Sequence, residues 1–185
     1  MQSRAVALGV TLATLLVAAP TSGRAQALPE GDGPSPRLNT LRLDLGVASA
    51  VGFLGFTFTR TFGDFFQMEA GVGTGYSGTQ LSLMPKIVIG SRDVFFVSGA
   101  GFSVAVPTDP LHATGNPVWL NVDAVGLGLI STHGFTFEAS AGITKGIGGG
   151  SICTNWIDGC EPGEKLPSSE TVWGPQLRVG WGYSF

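Results

Sequence analysis

Charged side chains are scarce in this sequence, and basic residues are fewer than acidic ones. Lys and Arg number 10 against 13 Asp and Glu, and together they make up 12% of the 185 residues. Two basic residues, Arg4 and Arg24, lie in an N-terminal segment that we expect to be removed, which leaves a net charge of −5. A nucleic-acid partner would favour a basic patch, so this balance argues against one.

Cysteine is also rare, since the chain contains only Cys153 and Cys160. In an exported protein, two cysteines this close predict one disulfide that closes a short loop, with free thiols as the alternative. Nothing near this pair resembles the third and fourth ligands of a structural metal site. The glycine run over residues 146–150 predicts a flexible loop and not a phosphate cradle, because no helix follows it. We therefore expect no metal and no cofactor.

Long apolar runs are absent apart from one at the N-terminus. Arg4 precedes an apolar stretch over residues 5–20, and Ala25-Gln26-Ala27 forms a small-x-small cleavage site. This order predicts a secretory signal peptide over residues 1–27, cleaved after Ala27. An uncleaved transmembrane anchor is the alternative, but the run is short for a spanning helix of about 20 residues. No later stretch resembles a spanning helix.

The rest of the chain alternates apolar residues with polar or small ones. Successive side chains of a strand point to opposite faces. Five of the last nine residues therefore share one apolar face: Leu177, Val179, Trp181, Tyr183 and Phe185. In a soluble protein such a terminal strand would be an exposed edge, which natural sheets avoid. The pattern fits a strand whose apolar face meets lipid and whose polar face meets a lumen.

The same alternation predicts eight strands. They span Thr40–Ala48, Phe53–Thr61, Phe65–Thr74, Gln80–Gly90, Val94–Val106, Val118–Ile130, Phe135–Ile143 and about Glu170–Phe185. In the sixth strand the apolar phase switches, which predicts a one-residue bulge near Ala124. Pro85 inside the fourth predicts a bulge or a missing ladder bond. Residues 107–117 and 144–169 are predicted to be the two long loops.

The C-terminal pattern resembles that of bacterial outer-membrane β-barrels, which end in an aromatic residue after alternating apolar positions. In that Gram-negative family the barrel-assembly machinery recognises this ending as an insertion signal. The chain is similar to the opacity-protein-like and OmpA-type small barrels. The resemblance implies an all-β, eight-stranded antiparallel up-and-down transmembrane barrel over residues 40–185, with six or ten strands as alternatives. It also implies outer-membrane lipids as surroundings, and a periplasmic lead-in over residues 28–39.

Charged residues fall on the inward side of the predicted strands. They are Arg42, Asp44, Glu69, Lys86, Asp123, Glu138 and Arg178. An eight-stranded barrel is only just wide enough to be filled by its own side chains, and an unpaired buried charge is costly. We therefore expect these residues to form a plug of ion pairs. A narrow, porin-like path for ions or small solutes is the alternative.

A lipid-modifying enzyme is a second alternative function, and His112 and His133 are the histidines that it could use. Such an enzyme needs a nucleophile, a histidine and an acid in contact. The lipid A deacylases, which resemble this chain in size, carry a His-x-Ser motif. Here His112 is followed by Ala113-Thr114 and His133 by Gly134-Phe135. We expect no catalytic activity.

The loop that contains both cysteines also contains Trp156, which we expect at the cell surface. An aromatic side chain on a rigid loop is suited to contact an external partner. A loop merely closed against proteolysis is the alternative. The sequence as a whole predicts a structural or surface-interaction protein of the outer membrane, with an extracellular ligand that it does not identify.

Overall fold

Strict alternation of apolar and polar side chains produces one continuous sheet that closes on itself. The computed structural model describes residues 37–75, 78–91, 93–108, 113–152 and 167–185. The strands are β1 Asn39–Ser49, β2 Gly52–Phe62, β3 Phe66–Gly75, β4 Gly78–Gly90, β5 Val94–Val106, β6 Ala113–Ile130, β7 Phe135–Ile152 and β8 Trp173–Ser184. Each strand pairs antiparallel with its sequence neighbours, and the barrel is closed. The predicted eight-stranded up-and-down barrel is confirmed, and the six- and ten-stranded alternatives are wrong.

Closure is made by the first and last strands. Thr40 pairs with Ser184 and Leu43 with Trp181 across the β1–β8 ladder. The ladder continues at the chain end, where the Asn39 amide donates to the Phe185 carbonyl at 3.0 Å and the Phe185 amide donates to the Asn39 carbonyl at 2.8 Å. Every described strand therefore has two neighbours, and no edge of the sheet is left open to another chain.

The two ends of the barrel differ in their connections. We call the end that holds Asn39 and Phe185 the terminal end. The short connections β2–β3, β4–β5 and β6–β7 lie there, over residues 63–65, 91–93 and 131–134. The opposite end, which we call the mouth end, holds the β5–β6 and β7–β8 connections, over residues 107–112 and 153–172. A 3-10 turn, Ser169–Thr171, lies just before β8.

Strands β1 to β5 lie within two residues of their predicted bounds, but β6 and β7 are longer than predicted. The strand β6 begins at Ala113 and not at Val118, and β7 ends at Ile152 and not at Ile143. Gly115 pairs with Gly150 and Trp119 with Gly146, so the glycine run is part of a strand and the prediction of a flexible loop is wrong.

Two smaller corrections concern strand boundaries, and Gly149 shows why the glycine run was misjudged. Asn39 belongs to β1 and not to the lead-in, and Glu170 belongs to the 3-10 turn and not to the last strand. Gly149 has φ +88° and lies so close to the Asn116 carbonyl that a Cβ would collide with it. Glycine therefore marks a place where two backbones approach closely, and sequence alone does not distinguish this from a loop.

The predicted bulge in β6 is confirmed at Ala124. Asp123 pairs with Gly142 and Val125 with Ala141, so Ala124 is the extra residue on β6. The bulge exchanges the two faces of the strand, and Val125 is 57% exposed as a result. Apolar side chains therefore point outward on both sides of the bulge.

The barrel is apolar outside and polar inside. One outward side chain from each strand, 46% to 57% exposed, illustrates the outer face: Leu41, Phe56, Val72, Ile87, Phe102, Val125, Ile143 and Leu177. Of the nine charged residues in the described strands, seven point into the lumen, and only Arg60 and Lys145 point outward. Among the described residues, no helix has the length and apolar character needed to cross a membrane.

The β1–β2 connection folds into the lumen at the mouth end. Ala50 and Val51 are 1% and 0% exposed. A Cβ at Gly71 would collide with Val51 Cγ1, and one at Gly55 would lie 2.8 Å from Val51 Cβ. Inward-facing glycines on β2 and β3 thus provide the space that Val51 fills.

Candidate functional site: the barrel lumen

Seven charged side chains from six strands meet inside the barrel, and we call them the ionic cluster. Its members are Arg42, Asp44, Glu69, Lys86, Asp123, Glu138 and Arg178, each at most 3% exposed. Arg42, Glu69 and Glu138 are each the fourth residue of a strand that starts at the terminal end. The cluster therefore lies in the half of the lumen nearer the terminal end.

Two glutamates form the centre of the ionic cluster, because each contacts all three cations. Glu138 accepts from Arg42 Nη1 at 2.7 Å, from Lys86 Nζ at 2.7 Å and from Arg178 Nη2 at 3.0 Å. Glu69 accepts from Lys86 Nζ at 2.7 Å and also from Arg42 Nη2 and Arg178 Nη1. Hydrogen bonds between ionised groups are the strongest kind in proteins, and here they link strands on opposite sides of the barrel.

The two aspartates lie at the margin of the ionic cluster. Asp123 Oδ2 is 2.8 Å from Arg178 Nη2 and 3.7 Å from Lys86 Nζ. Asp44 is further from the cations, at 3.5 Å from Arg42 Nε and 4.0 Å from Arg178 Nη1. Arg178 therefore contacts all four carboxylates of the ionic cluster.

Neutral side chains that the sequence analysis did not include complete the ionic cluster. Thr57 Oγ1 donates to Asp44 Oδ2 at 2.6 Å, and Gln176 Nε2 donates to Asp123 Oδ1 at 2.6 Å. Each aspartate has fewer close cation contacts than either glutamate, and each also accepts a short hydrogen bond from a neutral side chain. Thr57 and Gln176 share the inward phase of their strands with the charges, and that phase was the signal that could have identified them.

The charges of the ionic cluster pair with one another. Its four carboxylates face three cations, and their remaining lone pairs accept from Thr57 and Gln176. Within the described residues, no group of three or more His, Cys, Asp or Glu is arranged to hold a metal ion. Gly180 lies against the Asp44 carboxylate so closely that a Cβ would collide with Oδ1. Paired charges packed in this way can close the lumen.

A second feature of the lumen, which we call the mouth cavity, lies at the mouth end. Its volume is about 70 Å³, and Trp119, Gln80, Ile152 and Val172 are among its walls. The side chains of Trp119 and Ile152 are both buried and form a small apolar cluster with Val172. The alternation of apolar and polar residues did not reveal this cavity, although Trp119 is an aromatic residue on the inward, polar phase of its strand.

The remaining predicted site residues lie elsewhere. The five residues of the proposed assembly signal, Leu177, Val179, Trp181, Tyr183 and Phe185, point outward and are 38% to 58% exposed. His133 lies exposed in the β6–β7 turn, where its ring contacts Thr132 Oγ1 at 3.3 Å. Residues 1–36, His112, Cys153, Trp156 and Cys160 lie outside the described residues, so the predictions made for them stay predictions.

No protein-family model, no curated protein and no solved structure matches this chain.

Proposed function

We propose that this chain is an outer-membrane β-barrel whose lumen is closed by the ionic cluster, and that it acts through its surface and not as a channel or an enzyme. The observation that carries the proposal is the burial of seven charges inside a barrel whose outer face is apolar. A protein in water has the opposite arrangement, because apolar surface is buried and charge is solvated. Lipid around the barrel accounts for both features.

The outer face supports this location by its extent. Apolar side chains at least 46% exposed occur on every one of the eight strands. The largest exposed apolar patch on a typical soluble monomer covers a few hundred Å², and larger ones mark interaction with a partner or a membrane. An apolar belt around the whole barrel fits contact with lipid on all sides better than contact with a protein partner on one side.

The two outward charges lie near opposite ends of the barrel. Arg60 is two residues from the end of β2 at the terminal end, and Lys145 pairs with Trp173, the first residue of β8, near the mouth end. Long basic side chains near the ends of a membrane-spanning element extend their charged groups into the interface. The stretch of each strand between these two levels carries no outward charge in the described residues.

The ionic cluster favours a closed lumen over the alternative of a narrow pore. Charged groups from β1, β3, β4, β6, β7 and β8 contact one another across the interior, and Lys86 and Asp123 have side chains that are 0% exposed. An ion on its way through would have to break several charge-assisted hydrogen bonds. The proposed signal peptide and the terminal phenylalanine are consistent with export and assembly, and the mouth-end loops are the surface that we propose for contact with an external partner.

Location is tested by deletion of Phe185, followed by fractionation and heat-modifiable migration on gels. We expect the intact chain in the outer-membrane fraction and a marked loss of the folded form in the deletion. Replacement of Phe185 by Tyr, which keeps a terminal aromatic residue, is the matched control. A deletion that assembles as well as the intact chain would count against the membrane barrel.

Closure is tested by conductance of the refolded barrel in planar bilayers. We expect no discrete conductance from the intact chain. Replacement of both Lys86 and Glu138 by Ala removes one cation and one anion and shortens two side chains, so this variant should conduct. Regular conductance steps from the intact chain, equal to those of the variant, would favour the pore. Analysis of lipid A from cells with and without the protein separates the enzyme alternative, since an enzyme would change its mass.

A further inference from the structure

The β1–β2 connection holds a buried apolar side chain against the inner wall of the barrel. Val51 is 0% exposed, and its Cγ1 and the Cγ2 of Thr57 meet over Gly71. A Cβ at Gly71 would collide with Val51 Cγ1 and lie 3.1 Å from Thr57 Cγ2, and a Cβ at Gly55 would lie 2.8 Å from Val51 Cβ. Val51 therefore fills a niche formed by two glycines and a threonine methyl group, and apolar contact holds it there.

This niche lies over the Asp44 side of the ionic cluster. Gly55 pairs with Asp44 across the β1–β2 ladder, and Thr57 Oγ1 donates to Asp44 Oδ2 at 2.6 Å. Asp44 is the cluster carboxylate with the longest ion pairs, since its two cation contacts measure 3.5 and 4.0 Å. From the mouth end, Val51 thus covers the carboxylate that the cations hold least closely. A buried charge with weak pairing is the one that gains most from water.

The backbone on the β1 side of this connection is irregular. The β1–β2 ladder runs to the pair Leu45–Leu54 and resumes at Ser49–Gly52, so three residues of β1 oppose one residue of β2. Within this bulge Ala48 has φ +51°, a left-handed conformation that is costly for a residue with a Cβ. Ser49 Oγ donates to the Gly52 carbonyl at 2.5 Å, a bond that closes the turn on itself and does not join it to another strand. The turn is therefore a closed unit attached through a strained, interrupted segment.

We propose that residues 49–52, which we call the lid, swing out of the lumen while the barrel stays folded, and that this opening admits water to Asp44. Apolar contact holds Val51, whereas charge-assisted hydrogen bonds hold the ionic cluster, so the lid opens at the lower cost in free energy. Ser49 and Gly52 are among the walls of the mouth cavity, whose volume of about 70 Å³ is large enough for water molecules. An open lid joins this space to the ionic cluster. The ion pairs stay in place, so the open lid gives no conducting path.

Thiol labelling of the refolded barrel in detergent measures this opening. Both native cysteines are first replaced by serine, so each variant carries one thiol. Ala50→Cys places the thiol on the lid and keeps Val51, and Thr57→Cys places it beneath the lid. Ala50 and Thr57 are each 1% exposed, so a water-soluble thiol reagent reaches either thiol only when the structure opens.

The matched control is Thr59→Cys. Thr59 is the next inward residue on β2, is 2% exposed, and contacts Glu69 where Thr57 contacts Asp44. It lies nearer the terminal end and away from the lid. We expect the thiols on and beneath the lid to react about tenfold faster than this control, because local opening needs less free energy than unfolding of the barrel.

Gly71→Ala makes the test specific to the lid. The added Cβ would collide with Val51 Cγ1 and so displace the lid from its niche. Labelling on and beneath the lid should become about tenfold faster again, while the control thiol keeps its rate. Gly174→Ala adds a Cβ that meets nothing within 4 Å, so it should change none of the three rates.

Two results would overturn the proposal. Equal rates for Ala50→Cys and Thr59→Cys would mean that the turn opens only when the barrel unfolds. Faster labelling of Ala50→Cys but not of Thr57→Cys in the presence of Gly71→Ala would mean that the turn moves without admitting water to the ionic cluster. If Ala50→Cys fails to fold, the response of Thr57→Cys to Gly71→Ala decides the matter. Labelling in detergent requires neither membrane location nor conductance, so the proposed function is tested separately.

Discussion

The two halves of the lumen solve the same problem in different ways. Near the terminal end, the ionic cluster pairs its charges with one another and with Thr57 and Gln176, and it fills the space. Near the mouth end, Trp119 and Gln80 each keep an unpaired polar atom beside a cavity of about 70 Å³. Within one barrel, one region closes the lumen with paired charges and the other leaves an uncharged space, while unpaired buried atoms such as Oε1 of Gln176 occur outside the mouth cavity as well.

Loss of one cluster cation should give the largest effect on stability. Arg178→Met leaves Glu69 and Asp123 without their contacts to this guanidinium. Removing one partner of a buried pair costs roughly 3–5 kcal/mol, because the other charge is left uncompensated. Urea unfolding in a lipid bilayer should show this loss, and the double variant with Glu69→Gln should recover a substantial part of it.

The matched control for Arg178 is Arg60, which points outward. Its guanidinium lies 5.7 Å from the Phe62 ring and outside the ionic cluster. Arg60→Met should cost less than about 1 kcal/mol, as is usual for exposed charges. A neutral Arg178→Met, with no coupling to Glu69 beyond about 0.5 kcal/mol, would mean that the lumen is wet and would favour the pore.

An added methyl group on β8 should give the next largest effect. In Gly180→Ala the new Cβ would collide with the Asp44 carboxylate, so Asp44 has to move away from Arg42 and Thr57. Overpacking of this kind costs about 1–3 kcal/mol. Gly174→Ala is the control, because a Cβ there would meet nothing within 4 Å. Equal unfolding midpoints for the two variants would contradict the tight packing of the ionic cluster.

Removal of a polar group at the mouth cavity should not lower the unfolding free energy, in contrast to removal of a charge from the ionic cluster. Gln80→Leu keeps most of the side-chain volume and removes an acceptor that has no described partner. The unfolding free energy should stay within about 0.5 kcal/mol of the intact chain or rise, since no hydrogen bond of Oε1 is lost. A loss comparable to that of Arg178→Met would show that Gln80 is structural, and it would remove the contrast between the two halves.

The smallest effect is expected from the two cysteines. If Cys153 and Cys160 form a disulfide, as their spacing predicts, a thiol reagent without reductant should label neither of them in the exported protein. Reduction should then make both thiols reactive. The difference between the unfolding midpoints of Arg178→Met and of the intact chain should not change on reduction, because residues 153–160 belong to a mouth-end connection. Quantitative labelling of both without reductant would contradict the disulfide.

The sequence predicted the structure best where a single repeat of side-chain directions controls it. A strand repeats every two residues, so the inward phase of Arg42, Lys86 and Glu138 could be read directly, and the change of phase in the sixth strand located the bulge at Ala124. The same reasoning failed over residues 144–152. Glycine has no side chain to show a phase, so a glycine-rich strand and a glycine-rich loop have the same pattern.

The number of strands, the face that each side chain takes and the inward charges could be read from the chain, because these follow from alternation along one strand. The folded barrel specifies which charges meet, since contacts such as Arg42 with Glu69 depend on the stagger of strands around a closed barrel. It also decided that Val51 fills the space left by glycines of other strands. The unpaired atoms of Trp119 and Gln80 belong to this second class, because the absence of a partner is a property of the surroundings and not of the residue.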